Sequence, residues 1–156
     1  MTAHVKAMDE HLARQRFFSD FPPSFAKRIA GCARNAHFGA GDYLAREGDR
    51  ADTFFVITAG EVALEIAVPG KSPVVVATLG AQEVVGVSWL VAPYCWLFDA
   101  RAVQDTRAIC IDAKCLRGKC DADHDLGYEM MRRFLPVLTE RLHAARIQIL
   151  DVYGSS

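Results

Sequence analysis

No stretch of the chain strings together the roughly 18 uninterrupted apolar residues of a membrane span. The residues after Met1, among them Thr2, His4, Lys6, Asp9 and Glu10, leave no room for an apolar signal core. A cytoplasmic protein without a membrane partner is expected. An excess of either charge is missing too, since 18 Lys plus Arg against 19 Asp plus Glu leave a net charge of −1. No basic field exists to hold a polyphosphate backbone, so no direct nucleic-acid partner is expected. The cysteines are few and odd in number: Cys32, Cys95, Cys110, Cys115 and Cys120 stand at irregular spacing. In a reducing compartment they are predicted to be buried thiols and not a disulfide framework.

What the chain does have is apolar mass, 51% of its 156 residues. A chain of that length buries roughly two-thirds of its unfolded surface, and a single domain over 1–156 is expected. Leu12, Phe17, Phe21, Phe25 and Ile29 recur near helical spacing and Pro22-Pro23 can open a second short helix, which predicts helices over 8–33 that end near Gly31. From Asn35 the period changes. Turn signals at Gly39 to Gly41, Gly60, Pro69 to Pro73 and Gly80 separate runs rich in Val, Ile, Phe and Thr, the rhythm of a small barrel or jelly roll over 35–111. Val62, Leu64 and Ile66 alternate with Ala63, Glu65 and Ala67, one set facing a core. Phe54 to Ile57 read as buried on both sides.

Helical pattern returns over 113–152. Asp112 can cap a short helix through Leu116, and Asp121, Asp123 and Asp125 favour the start of a long helix from about Leu126 to Val152. Within it Met131, Leu135, Leu138, Leu142, Ala145 and Ile149 step by four, three, four, three and four residues. Such a seam suits pairing with another helix, so a homodimer through this helix is expected. Pro136 interrupts the helix and removes one backbone hydrogen bond. Met130 and Phe134 are left to serve the barrel. Arg132, Arg133, Arg141 and Arg146 read as a solvated face with local pairs to Glu129 and Glu140.

The segment Gly86 to Ala102 holds both tryptophans, a tyrosine and a phenylalanine, with one acid and one base, Asp99 and Arg101. Its setting gives it meaning. Phe38, Gly41, Leu44, Glu47-Gly48, Asp52, Phe55, Ile57, Gly60 and Val62 fall in the register of the cyclic-nucleotide-binding domain, as in catabolite-activator-type regulators, and the chain resembles that superfamily. The resemblance implies a mainly β fold, a β-roll of about eight strands with flanking helices and a long C-terminal helix. It also implies a phosphate cassette, a short helix after a Phe-Gly-Glu element followed by an Arg, where the helix start and the Arg hold a cyclic phosphate and a carboxylate holds the ribose. Gly86 matches that cassette. Val87 stands at the carboxylate position and Trp96-Leu97-Phe98 at the arginine position, so the polar contacts for an ordinary cyclic nucleotide are missing. Arg101 lies a few residues late and could pair with Asp99 only on an irregular strand.

The candidate pocket residues are therefore Gly86, Val87, Ser88, Trp89, Trp96, Leu97, Phe98 and Arg101. Either the pocket takes an apolar or planar molecule stacked on Trp89 or Trp96, with Ser88 and the cassette helix donating, or the aromatics fill it. No cofactor is assigned. No recognition helix follows the last helix, so a DNA-binding domain is not expected. The leading reading is a stand-alone, non-enzymatic sensor for a small-molecule ligand. The alternative is a ligand-free module that recruits a protein partner or dimerises.

Catalytic and metal readings are weaker. Gly86-x-Ser88 opens a nucleophile elbow, but Leu90 replaces its second glycine. A cupin-type metal enzyme needs clustered His and Glu on facing strands, and of His4, His11, His37, His124 and His143 only His37 falls near one. Cys115 and Cys120 are rotated by roughly 140° on a helix, which leaves too few ligands with His124 for zinc. Leu126 and Arg132 stand where a calcium loop from Asp121 needs Gly and Glu.

Overall fold

The computed structural model describes the backbone of residues 2–154 and the side chains of 7–151. Three helical pieces come first: α1 (Thr2–Ala13), a 3-10 turn (Arg16–Phe18) and α2 (Pro23–Ala30). Helix α1 starts earlier than the periodicity predicts. Leu12, Phe18 and Ile29 are buried where these pieces pack. Eight strands follow: β1 (Ala33–Phe38), β2 (Tyr43–Ala45), β3 (Thr53–Ala59), β4 (Val62–Ile66), β5 (Val74–Leu79), β6 (Val84–Val85), β7 (Asp99–Ala102) and β8 (Thr106–Asp112). They form two four-stranded antiparallel sheets, ordered β1-β8-β3-β6 and β2-β7-β4-β5. Helices α3 (Ala113–Ala122) and α4 (His124–Gly154) complete the chain. The expected β-roll with a long final helix is present.

Strand β3 lies inside its sheet, and Phe54, Phe55, Val56 and Ile57 are all buried, because one face meets the opposing sheet and the other the helices. The tight turn into β4 needs Gly60. Its φ is +106°, and a Cβ there would stand 2.5 Å from the Asp105 carbonyl oxygen. Strand β4 departs from simple alternation: Ala63 and Glu65 are buried and Ile66 is exposed. Arg101, opposite Ala63 on β7, reaches along the outer face to Glu65 and covers both.

Helix α4 plugs the roll with its first half. Met130 and Phe134 are buried as expected, Phe134 edge-on to Phe54 at 5.3 Å between ring centroids. Asp123 caps the helix start by accepting from the Asp125 and Leu126 N–H groups, and Asp112 caps α3 by accepting from Cys115 N. Helix α3 runs six residues past the predicted Leu116.

The expectation of five free thiols is overturned at one pair: Cys32 and Cys115 form a disulfide, with Cα atoms 6.0 Å apart. The cause is topological. Antiparallel pairing sets Ala33 against Ile111, so the residue before β1 and the first turn after β8 meet across 83 positions. Cys95, Cys110 and Cys120 are free thiols.

Candidate functional site

Between β6 and β7 the chain turns at Gly86, makes a single 3-10 turn over Ser88–Leu90, and passes a cis Ala92–Pro93 bond. The short helix the family cassette would place here is reduced to that one turn. Gly86 has φ of +104°, and a Cβ on it would meet Cη2 of Trp96 at 2.7 Å. The indole of Trp96 therefore lies directly over the glycine. Its backbone is fixed as well, Trp96 N donating to the Asp49 carbonyl at 2.8 Å and Gly48 N donating to the Trp96 carbonyl at 2.9 Å.

Trp89 is wholly buried. It stacks on Phe54 at 4.8 Å between centroids and meets Phe134 edge-on at 5.4 Å. Its indole N–H has no hydrogen-bond partner among the described residues. Neither tryptophan offers a free face for a ligand. Leu97 points outward, 64% exposed, and Val87 and Phe98 are half-buried against the core.

The charges of the segment are engaged elsewhere. Arg101 donates from Nε and Nη2 to both Glu65 carboxylate oxygens at 2.9 Å, a bidentate pair that raises the guanidinium pKa. Asp99 accepts from Glu47 N at 2.8 Å and Arg46 Nε at 3.4 Å. The possible Asp99–Arg101 pair is thus replaced by two separate partnerships, Arg101 reaching Glu65 on the adjacent β4 and Asp99 the residues Arg46 and Glu47 that follow β2.

One organiser gives no signal in the sequence. Arg117 on α3 donates from Nη1 to the carbonyls of Ala51 and Trp89, and from Nη2 to Asp52, each at 2.9 Å. Its guanidinium also lies 4.4 Å from the Tyr94 ring centroid. Tyr94 has φ of +57°, a conformation held by this contact and by Ala51 N donating to its carbonyl at 2.7 Å. The hydrogen bond from Arg117 keeps the Asp52 carboxyl below the usual carboxylate range.

A cavity of about 520 Å³ lies to one side of this packing, between the β4-β5 hairpin and the second half of α4. Leu64, Ile66, Val74, Val76 and Ala77 wall one side and Ala144, Ala145, Gln148 and Ile149 the other. Of the sequence-predicted pocket residues, Phe98 lines it; Gly86, Val87, Ser88, Trp89, Trp96, Leu97 and Arg101 do not. Arg141 lines it as well and is no solvated residue. It donates to the Val84 carbonyl, and burial lowers its pKa. Arg133 is likewise packed, its side chain 12% exposed and donating to the Phe17 carbonyl at 3.2 Å.

The predicted helix seam is exposed throughout: Met131, Leu135, Leu138, Leu142, Ala145 and Ile149 all reach solvent, and the last two also border the cavity. Among the described residues no cluster of three or more His, Cys, Asp or Glu could hold a metal ion, and His37 instead meets Asp105 at 2.6 Å. Among them, too, no helix is long and apolar enough to cross a membrane.

Comparison with known proteins places this geometry. Residues 36–123 match the family model of the cyclic nucleotide-binding domain. A protein of Geobacter metallireducens GS-15, named for cyclic nucleotide binding, superposes with a TM-score of 0.78 at 27% identity, over 86% of this chain and 98% of its own. A cyclic nucleotide-binding domain from Methylobacillus flagellatus kt gives 0.75 at 21%, over 96% of this chain and 84% of its own. The regulatory domain of Toxoplasma gondii PKA, in a co-crystal with cAMP, gives 0.67 at 19%, over 84% and 51%. The last two share the fold. With more than half its length inside the family model and the β-roll and final helix in place, the chain belongs to the cyclic nucleotide-binding domain family.

Proposed function

We propose that this chain is a non-enzymatic sensor whose ligand site has moved from the phosphate cassette to the cavity between the β4-β5 hairpin and α4. The supporting observation is that cavity itself, about 520 Å³, within the range of small-molecule sites. The cassette is closed by its own side chains: Trp96 lies on Gly86, Trp89 is stacked in the core, and Arg101 is held by Glu65. An ordinary cyclic nucleotide would find neither a free cation nor a ribose carboxylate there. Phe98 links the two regions, following the cassette in sequence and lining the cavity in space.

Output would pass through α4. Its second half forms one wall of the cavity, so an occupant that favours one position of the helix shifts the equilibrium toward it. The same stripe of the helix, continued toward its N-terminal half, carries Met131, Leu135, Leu138 and Leu142, exposed, which fits a homodimer whose geometry reports occupancy. A single domain without direct contact to nucleic acid completes the reading.

Melting temperature during titration with cyclic AMP, cyclic GMP and a broad metabolite panel tests it. A ligand outside the cyclic nucleotides that raises the melting temperature, and loses that effect when Ala145→Trp fills the cavity, is the expected result. A flat response across the panel refutes the sensor. The exposed leucines would then favour the second reading, a protein-interaction or dimerisation module.

A further inference from the structure

The chemistry of the cavity narrows its occupant. Arg141, Ala144, Ala145, Gln148 and Ile149 follow at i, i+3, i+4, i+7 and i+8, one face of α4, and the two alanines leave the space that larger residues would fill. Opposite them are Leu64, Ile66, Val74, Val76, Ala77 and Phe98, all apolar. The polar lining is Arg141 at one end and Gln148 at the other, and Gln148 Nε2 is near the Val75 carbonyl at 3.5 Å.

Arg141 is the unusual element. Its guanidinium cannot shed its proton in a protein. Burial disfavours the charge, and among the described residues its one hydrogen bond goes to a neutral acceptor, the Val84 carbonyl. Glu83 and Glu140 act on it only from a distance, since neither comes within salt-bridge reach. The Glu83 carboxylate accepts instead from Gly80 N at 2.6 Å. A desolvated cation without a carboxylate is costly unless an anion joins it. The packed arginines Arg101, Arg117 and Arg133 have theirs in Glu65, Asp52 and Glu129.

We propose that the cavity binds an amphipathic monoanion, a carboxylate with an unbranched apolar tail, its head group paired with Arg141 and its tail lying between Phe98, Val76 and Ile149. The inference rests on the sensor reading and specifies its ligand class. A cation rising from the final helix differs in kind from one supplied by the cassette, and it selects for a charged end group on an otherwise apolar molecule. A neutral tail of equal length gains the walls and leaves the arginine unpaired.

Isothermal titration calorimetry of the full chain with dodecanoate, below its micellar concentration, against dodecanol is the test. Saturable one-to-one binding is expected, with dodecanol weaker by about tenfold or more, the contribution of a charge-assisted contact. Arg141→Gln, which can still donate to Val84, is expected to bring the two ligands to similar affinity. Ala145→Trp is expected to abolish binding of both, with circular dichroism confirming that each variant is folded. Equal affinity of acid and alcohol in the parent protein, an unchanged ratio in Arg141→Gln, or no dodecanoate binding at all overturns the assignment. If dodecanoate fails while a panel metabolite binds and Ala145→Trp blocks it, the sensor reading stands and only the ligand class falls. If nothing binds, both fall.

Discussion

Replacing Gly86 by alanine tests whether the cassette is filled. Two independent costs are expected. The first is conformational: φ of +104° is a region side chains avoid, costing on the order of 1–3 kcal/mol. The second is steric, because the new methyl would stand 2.7 Å and 3.2 Å from the Trp96 ring atoms Cη2 and Cζ2 and 3.3 Å from Phe54 Cβ. Overpacking of this kind adds about 1–3 kcal/mol. Together they amount to about 4 kcal/mol, or a loss of roughly 10 °C in melting temperature for a chain of this size. A double-mutant cycle with Trp96→Leu separates them. Without the indole the two Trp96 contacts vanish while the approach to Phe54 Cβ and the conformational part stay, so the cost of Gly86→Ala should fall by about 1–3 kcal/mol in the leucine background. Urea unfolding followed by circular dichroism, with equal m-values across the four proteins, supplies the numbers. An identical cost in both backgrounds would mean that Trp96 does not occupy the space over Gly86, and the filled cassette would be wrong.

The disulfide closes a span of 83 residues, for which the chain-entropy relation gives about 4.5 kcal/mol, so Cys32→Ser with Cys115→Ser should lower the urea midpoint sharply. Thiol titration of the unreduced, unfolded protein should count the free cysteines Cys95, Cys110 and Cys120; a count of all five would refute the bond. Leu135→Asp with Leu142→Asp, both at exposed positions, should convert a dimer to monomer by sedimentation while leaving helix content unchanged. Because the folded-state pKa of Asp52 is lowered by Arg117, its stabilisation is present above the unfolded carboxylate range and lost as pH falls through the folded value. The melting-temperature gap between the parent and Asp52→Asn should thus be open at pH 7 and close in acid. Cys120, whose thiol is pushed up to about 11 by burial, should alkylate far more slowly at pH 8 than free glutathione.

Most of the fold was legible because it rests on local rules. The alternating and continuous apolar runs from Phe54 to Ile66, the glycines at Gly41, Gly48 and Gly60, and the caps at Asp112 and Asp123 are each set by a few neighbouring residues. The failures share a cause. Whether Arg141 is solvated depends on β5 and Val84, which lie far from it in sequence. Arg117 ties the cassette to Asp52 across 65 positions, and nothing in its own helix announces that. Glu65 reads as a solvent-facing strand residue until Arg101 is placed on the adjacent strand.

The sequence by itself determined the β-roll and the long final helix, since each is written in periodicity or in residue type at a defined turn. Tertiary structure alone decided the long-range pairings. It put Trp89 and Trp96 inside, joined Cys32 to Cys115, gave Arg101 to Glu65, and opened a cavity beside Arg141. Those outcomes depend on which distant segments the strand order brings together, and register between strands is a property of the folded sheet as a whole.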